Sequence, residues 1–295
     1  MDDAFLGYHP AVNFIFFIGA IVFGMFFTHS AFLCASVFTS MLYYLLLMGR
    51  KGIKLLCTML MLFFALSFIN PLLNTQGDTV LFTYIGERPF TLEALMYGFV
   101  TGGMFVSVLL WFACYNCIMT SDKFIYLFGW CIPTISLLLS MVLRMVPNFK
   151  VKIMTIAGAR KCVGKAPVNG DKKEKLQNSM DMLSVLTSWA LEGAVVTADS
   201  MRSRGYGSGK QSNFSIYRPS VRDMAAGIIM LFCIVLTIIC AALGGMEVAY
   251  FPVFILPEAN IITILGVIGY TAFLLLPSII HIWEEATWNI LRSRI

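Results

Sequence analysis

The sequence predicts an all-α membrane protein with about six transmembrane helices and a helical cytoplasmic region. Three observations carry this. Mean hydropathy is +0.82 and 59% of residues are hydrophobic, well above the usual composition of a soluble globule. Apolar runs recur at about the length of a bilayer crossing. Thirteen of the 21 Lys+Arg lie between Pro147 and Arg222, which marks that segment as the part left in water.

Six runs are long enough to span as helices: 11–28, 31–48, 53–69, 95–118, 224–243 and 261–282. The first is expected to be retained, because Met1–Pro10 carries Asp2 and Asp3 and no basic stretch. Between the second and third, Arg50, Lys51 and Lys54 mark a cytoplasmic turn, since basic residues accumulate on that side. Alternation then places Asn70–Glu93 outside, with Asp78, Glu87 and Glu93 against Arg88, and Thr120–Lys123 inside. A seventh apolar run, Phe124–Val146, carries Pro133 and ends at Arg144. It starts and ends on the cytoplasmic side, so it is expected to lie at the interface or re-enter. Both termini then fall inside, in accord with Arg292 and Arg294. The expected organisation is 1–123 with helices 1–4, 124–222 interfacial and cytoplasmic, and 223–295 with helices 5–6.

The cytoplasmic stretch is too short and too polar to be an enzyme domain of its own. Its middle, GKAPVNGDKKEK, is rich in helix breakers. After it, Leu176, Met180, Leu183, Leu186, Ala190, Ala194, Ala198 and Met201 recur at spacings of three and four, predicting a long helix to Arg204. Asp181, Ser188, Glu192 and Asp199 form a polar stripe along it. Gly205 stands where a helix ends in the left-handed conformation. Arg202 and Arg204 occupy the last turn, where unpaired carbonyls and the helix dipole favour cations. Such an end can stay solvated, meet lipid phosphates, or form two-pronged bonds with a partner's carboxylates.

Other residues carry less. Cys114 and Cys117 form a C-x-x-C without further ligands, and His9, His29 and His281 are far apart, so packing is expected of them rather than metal binding. Gly98 and Gly102 make a G-x-x-x-G, with Gly103 beside it, that permits close helix approach. Glu284 and Glu285 beside Trp283 and Trp288 read as an interfacial helix end. Asp181, Glu192 and Asp199 on one helix face would be the only candidates for a metal in a lipid-headgroup transferase, against a solvated stripe with an Asp199–Arg202 pair.

Several stretches together resemble the transmembrane T component of energy-coupling factor (ECF) importers. TADSMRSRGYGSG resembles the family's second short motif, Ala-Arg-Gly after a long helix, with Ser203, Arg204 and Gly205 in its three places. NPLLNTQGDTVLF and TLEALMYG resemble the segment before the fourth span, and YNCIMTSDKFIYLFGWCIPTISLLLSMVLRMVPNFK resembles the entry into the coupling region. The first family motif is altered. It stands here as ARKCVG, Ala159–Gly164, so Cys162, Val163 and Gly164 take the Ala-Arg-Gly places and the cations come earlier, at Arg160 and Lys161. The first tip would then make contact through Arg160 or through apolar packing. GYHPAVNF replaces the Asp-Pro-Arg element that many members carry near the N-terminus, and nothing is carried over there.

The resemblance implies a scaffold in the bacterial cytoplasmic membrane with two long coupling helices. Their tips would dock two ABC ATPases, of A and A′ type, and the scaffold would hold a substrate-binding S component that captures a vitamin or a transition-metal ion. No cofactor, no nucleic-acid partner and no catalytic activity are implied, and the chain lacks the G-x-x-x-x-G-K-[ST] phosphate loop. The alternatives are the permease of an ordinary ABC importer, which docks one coupling helix per subunit, or the lipid-headgroup enzyme.

Overall fold

The computed structural model describes residues 4–74, 77, 79–84, 88–129, 132–164, 172–209, 217, 219–244 and 260–292. The expectations for Asp2, Asp3, Asp78, Glu87, Arg294 and most of the breaker-rich loop fall outside these residues. The described elements are α1 (Pro10–Phe26), α2 (Ser30–Met48), α3 (Ile53–Leu73), β1 (Val80–Tyr84), β2 (Arg88–Thr91), α4 (Leu92–Ile118), α5 (Ser121–Gly129), α6 (Pro133–Cys162), α7 (Lys172–Ser203), α8 (Val221–Ala242) and α9 (Ile261–Arg292). The chain is an all-α membrane protein. Five described stretches are long and apolar enough to cross a bilayer: Ser30–Leu73, Leu92–Ile118, Pro133–Cys162, Val221–Ala242 and Ile261–Arg292, with Pro10–Phe26 shorter. The first of them holds α2 and α3, separated by a 3-10 turn at Gly49–Gly52, where Gly49 takes φ +54° and Arg50 and Lys51 stay exposed.

The chain forms two compact units, residues 1–120 with 217–295, and residues 121–216. The first and last of the three expected segments therefore share one unit.

In that first unit α4 packs against α1, α2 and α3, α2 also meets α9, and α8 lies against α9. The reason is the supply of small and aromatic residues. A Cβ on Gly98 would come within 2.5 Å of the Ser67 carbonyl oxygen, and one on Gly102 within 2.9 Å of Ser67 Oγ. The G-x-x-x-G thus seats α4 on α3 within the chain. Asn70 Nδ2 donates to Thr101 Oγ1 at 3.1 Å across the same contact. Deeper in, Phe16 meets Phe17, Trp111 and Phe273 at centroid distances of 5.1–5.5 Å, the spacing at which aromatic pairs attract beyond their burial. Beside Trp111, the Ser36 and Ser107 hydroxyls bond at 2.5 Å, tying α2 to α4.

The helix ends are capped by residues that a composition-based reading left neutral. His9 and His29 each accept a backbone N–H through Nδ1, from Ala11 and Ala31 at 3.2 Å, and so start α1 and α2. Ser220 and Asp223 form a capping box on α8. Asp223 Oδ1 also accepts the His9 backbone N–H at 3.0 Å, joining the start of α1 to the start of α8. Between α3 and α4, where the sequence suggested an outer loop, an antiparallel β1–β2 hairpin pairs Val80 with Thr91 and Tyr84 with Arg88. Glu93 is buried at its base and accepts from Thr79 Oγ1 at 2.6 Å.

In the second unit α5 packs on α6, and Ser136 Oγ donates to the Ile125 carbonyl at 3.2 Å. The apolar run 124–146 is thus not one segment. It divides before Pro133, whose fixed φ suits the first turn of a helix, and its second half continues unbroken into the basic region. Pro147 lies inside α6. The backbone bond it forgoes falls on an exposed stretch, where water or another polar environment can satisfy the freed carbonyl.

Candidate functional site

Two long helices, α6 and α7, form the second unit's framework, and each ends in the same way. In α6 the last helical residue is Cys162, the cap is Val163, and Gly164 follows with φ +76°. In α7 the last helical residue is Ser203, then Arg204, then Gly205 with φ +78°. Gly164 N–H bonds the Lys161 carbonyl at 3.1 Å, and Gly205 N–H bonds the Arg202 carbonyl at 3.0 Å. At α7 the closing bond is present too, Tyr206 N–H to the Met201 carbonyl at 3.0 Å, which completes a Schellman cap. Only glycine adopts such a φ without steric cost. The two tips therefore correspond residue by residue: Lys161 with Arg202, Cys162 with Ser203, Val163 with Arg204, Gly164 with Gly205.

Through Gly209 the chain continues in turns. Gly207 takes φ +90°, and the Ser208 hydroxyl donates to the Gly205 carbonyl at 2.6 Å. Arg202 and Arg204 are exposed and, among the described residues, form no ion pair. Their guanidinium groups stand at the negative end of a helix of about 48 Å, presented rather than consumed.

Arg160 behaves differently. Its Nη2 bonds Asp181 Oδ2 of α7 at 2.9 Å, its side chain is only 20% exposed, and its Nε is enclosed. The Asp199–Arg202 pair expected along the polar stripe does not form; among the described residues, Arg160–Asp181 is the ion pair the stripe makes. The contact could not be found from local spacing, because Arg160 and Asp181 meet only once α6 and α7 cross. Trp189, not singled out from the sequence, sits at the same crossing: Phe149 meets it edge-on at 6.0 Å and Lys152 Nζ lies 5.0 Å over its ring.

The stripe that α7 partly buries runs through Met182, Leu186, Trp189, Ala190 and Gly193. It overlaps the apolar periodicity of the sequence only in part. Leu176, Met180 and Leu183 remain 57–61% exposed. Since α6 meets α7 near Asp181, and roughly 33 Å of helix separates Asp181 from Ser203, the crossing holds the two tips far apart.

Asp181, Glu192 and Asp199 are all exposed, and among the described residues no group of three or more His, Cys, Asp or Glu is placed to hold a metal ion. Neither Cys114 nor Cys117 is in a disulfide. No protein-family model matches the chain, and no curated protein matches it.

Proposed function

We propose that the chain is the transmembrane T component of an ECF-type ABC importer. In this reading it is the non-catalytic scaffold that passes motion of two cytoplasmic ATPases to a substrate-binding S component for uptake of a vitamin or a transition-metal ion. The observation that carries the reading is the pair of tips: two long helices in one chain, each closed by a left-handed glycine, each with a cation three residues before it, Lys161 and Arg202. An ordinary permease needs one docking helix per subunit, so a matched pair in one chain favours the ECF type. The order of the motif-like stretches from Asn70 to Pro219 supports it further.

The topology that goes with this reading has six crossings and both termini cytoplasmic, in a bacterial cell membrane. Helices α1, α2, α3, α4, α8 and α9 cross. Helix α6 qualifies as a span by length and composition, but its apolar half, 133–146, is only about 20 Å of helix against a hydrocarbon core of about 30 Å. The remainder carries Lys150, Lys152, Arg160 and Lys161. It is assigned to the interface and the cytoplasm, where α6 and α7 act as coupling helices through Arg202, Ser203, Arg204 and Gly205 at one tip and Lys161, Cys162, Val163 and Gly164 at the other. Docking is of the helix-in-groove kind.

Purification of the tagged chain from its native membrane tests the reading. Two P-loop ATPases and one small apolar membrane protein are expected to co-purify, identified by mass. A chain that purifies alone and acts on a lipid headgroup, or as a dimer with a single type of ATPase docked on each copy, contradicts it.

A further inference from the structure

The inference rests on the proposed coupling role and concerns what each tip fits. The two tips share one backbone geometry and differ at the residue that caps the helix: Val163 at α6, Arg204 at α7. Val163 is 73% exposed. The neighbouring cation available in place of an arginine at the first tip is Arg160, and it is turned onto Asp181, with its Nε enclosed and its side chain largely covered. Arg160 is therefore occupied inside the unit. The first tip keeps a cation only at Lys161, the place that Arg202 fills at the second.

We infer that the two sockets are chemically unlike: the partner surface that receives the α6 tip offers an apolar recess at the cap position, and the one that receives the α7 tip offers a carboxylate. An isopropyl group gains by leaving water for a matching apolar recess. Opposite a buried carboxylate the same group would leave that charge unpaired, which is costly. Arginine in the apolar recess carries the mirror penalty. The pairing is thus selective in both directions, attraction at the right socket and a desolvated mismatch at the wrong one. It fixes which ATPase sits at which tip. It also makes the approach to the α7 socket salt-dependent at the cap, because long-range attraction between the free guanidinium and the carboxylate is screened before the pair is buried, whereas an apolar cap has no such attraction.

The test uses the full complex, purified through the tagged chain, with each ATPase identified by mass. Val163→Asp is expected to lower retention of one ATPase tenfold or more, at both about 0.1 M and about 1 M salt. Arg204→Glu is expected to lower retention of the other by a similar factor, and in the parent raising salt is expected to slow reassembly at that second tip more than at the first. The exchanged variant Val163→Arg with Arg204→Val is expected to lose both. A photo-crosslinker carried on Cys162, in a chain with the other cysteines replaced, is expected to map onto aliphatic or aromatic residues. Mapping onto an Asp/Glu cluster, or undiminished retention in Val163→Arg together with loss in Arg204→Glu, overturns the inference and leaves the coupling reading intact. If Arg204→Glu also leaves both ATPases bound, the coupling reading fails and the inference with it.

Discussion

The two units solve the problem of staying folded in different ways. In the unit of residues 1–120 and 217–295, Phe16, Phe17, Tyr43, Trp111, Tyr270 and Phe273 are almost wholly buried, and glycines bring α4 onto α3 at backbone contact. In residues 121–216 the long helices have almost nothing inside: α6 buries only Ser136 and α7 buries no residue. Its crossing is held by an Arg160–Asp181 pair and by Trp189 between Phe149 and Lys152. The first unit is specified by its own packing. The second leaves most of the surface of its two long helices outside its own packing.

The sharpest way to break this contrast is to remove one large aromatic from each unit. Trp111→Ala is expected to cost about 3–5 kcal/mol, as large-to-Ala changes in a packed core do. Trp189→Ala, at a half-open crossing, is expected to cost well under half of that. Thermal unfolding in detergent, followed by size-exclusion recovery, checks both. Equal losses would mean that the second unit has a core of its own.

A smaller effect sharpens the description of the first unit. Gly98→Ala places a methyl 2.5 Å from the Ser67 carbonyl, so α3 and α4 must separate. A loss of about 1–3 kcal/mol is expected, typical of overpacking. Gly158→Ala, in α6, meets nothing within 4 Å and is expected to be neutral or slightly stabilising, by up to about 1 kcal/mol, since alanine is the better helix former.

The Arg160–Asp181 pair is expected to matter for geometry more than for stability. Asp181 is 55% exposed, and ion pairs at such sites contribute about 0–1 kcal/mol. Asp181→Asn should therefore leave the unfolding midpoint nearly unchanged. Spin labels near the two tips, at Lys161 and Ser203, both exposed, should show a broader distance distribution in this variant, and an unchanged one would remove the pair's positioning role.

A pH-dependent effect is expected in the first unit. Burial lowers the His29 pKa below its ordinary 6.5, and the neutral ring accepts the Ala31 N–H. The folded state thus prefers unprotonated His29. The cap's contribution is complete above about pH 6.5 and is lost as pH falls from there through the lower folded value. His29→Ala should cost about 0.5–2 kcal/mol at pH 8, the usual worth of a cap, and less at pH 5. The difference between the two pH values, measured against the parent, is the test.

Much of this architecture was legible because membrane helices announce themselves by composition. The runs 31–48 and 95–118 reappear as α2 and the body of α4, and both glycine helix ends fall where the breaker and cap rules place them, at Gly164 and Gly205. Three features were not legible, each for a physical reason. The strands Val80–Tyr84 and Arg88–Thr91 are only five and four residues long, too short for a period-two pattern to stand out, although the first is rich in strand formers. The partner of Arg160 depends on how two helices cross, and local spacing would sooner have paired Asp199 with Arg202. His9 and His29 act as caps through one ring nitrogen, a role shared with Ser, Thr, Asn and Asp, which are the residues normally searched for at helix starts.

The central claim is that motion enters through the α7 tip, and reconstituted liposomes holding the whole complex test it most directly. Substrate uptake and ATP hydrolysis are measured together for the parent and for Arg204→Glu. Arg204 is exposed, so the variant should fold with a change of stability within about 0.5 kcal/mol. Losing one member of a desolvated charged contact should instead weaken docking by roughly 2–5 kcal/mol. The expected result is normal insertion with uptake reduced tenfold or more, either because the ATPases no longer bind or because they hydrolyse ATP without transport. Assembly and uptake equal to the parent would show that Arg204 is only a solvated helix cap, and would contradict the account.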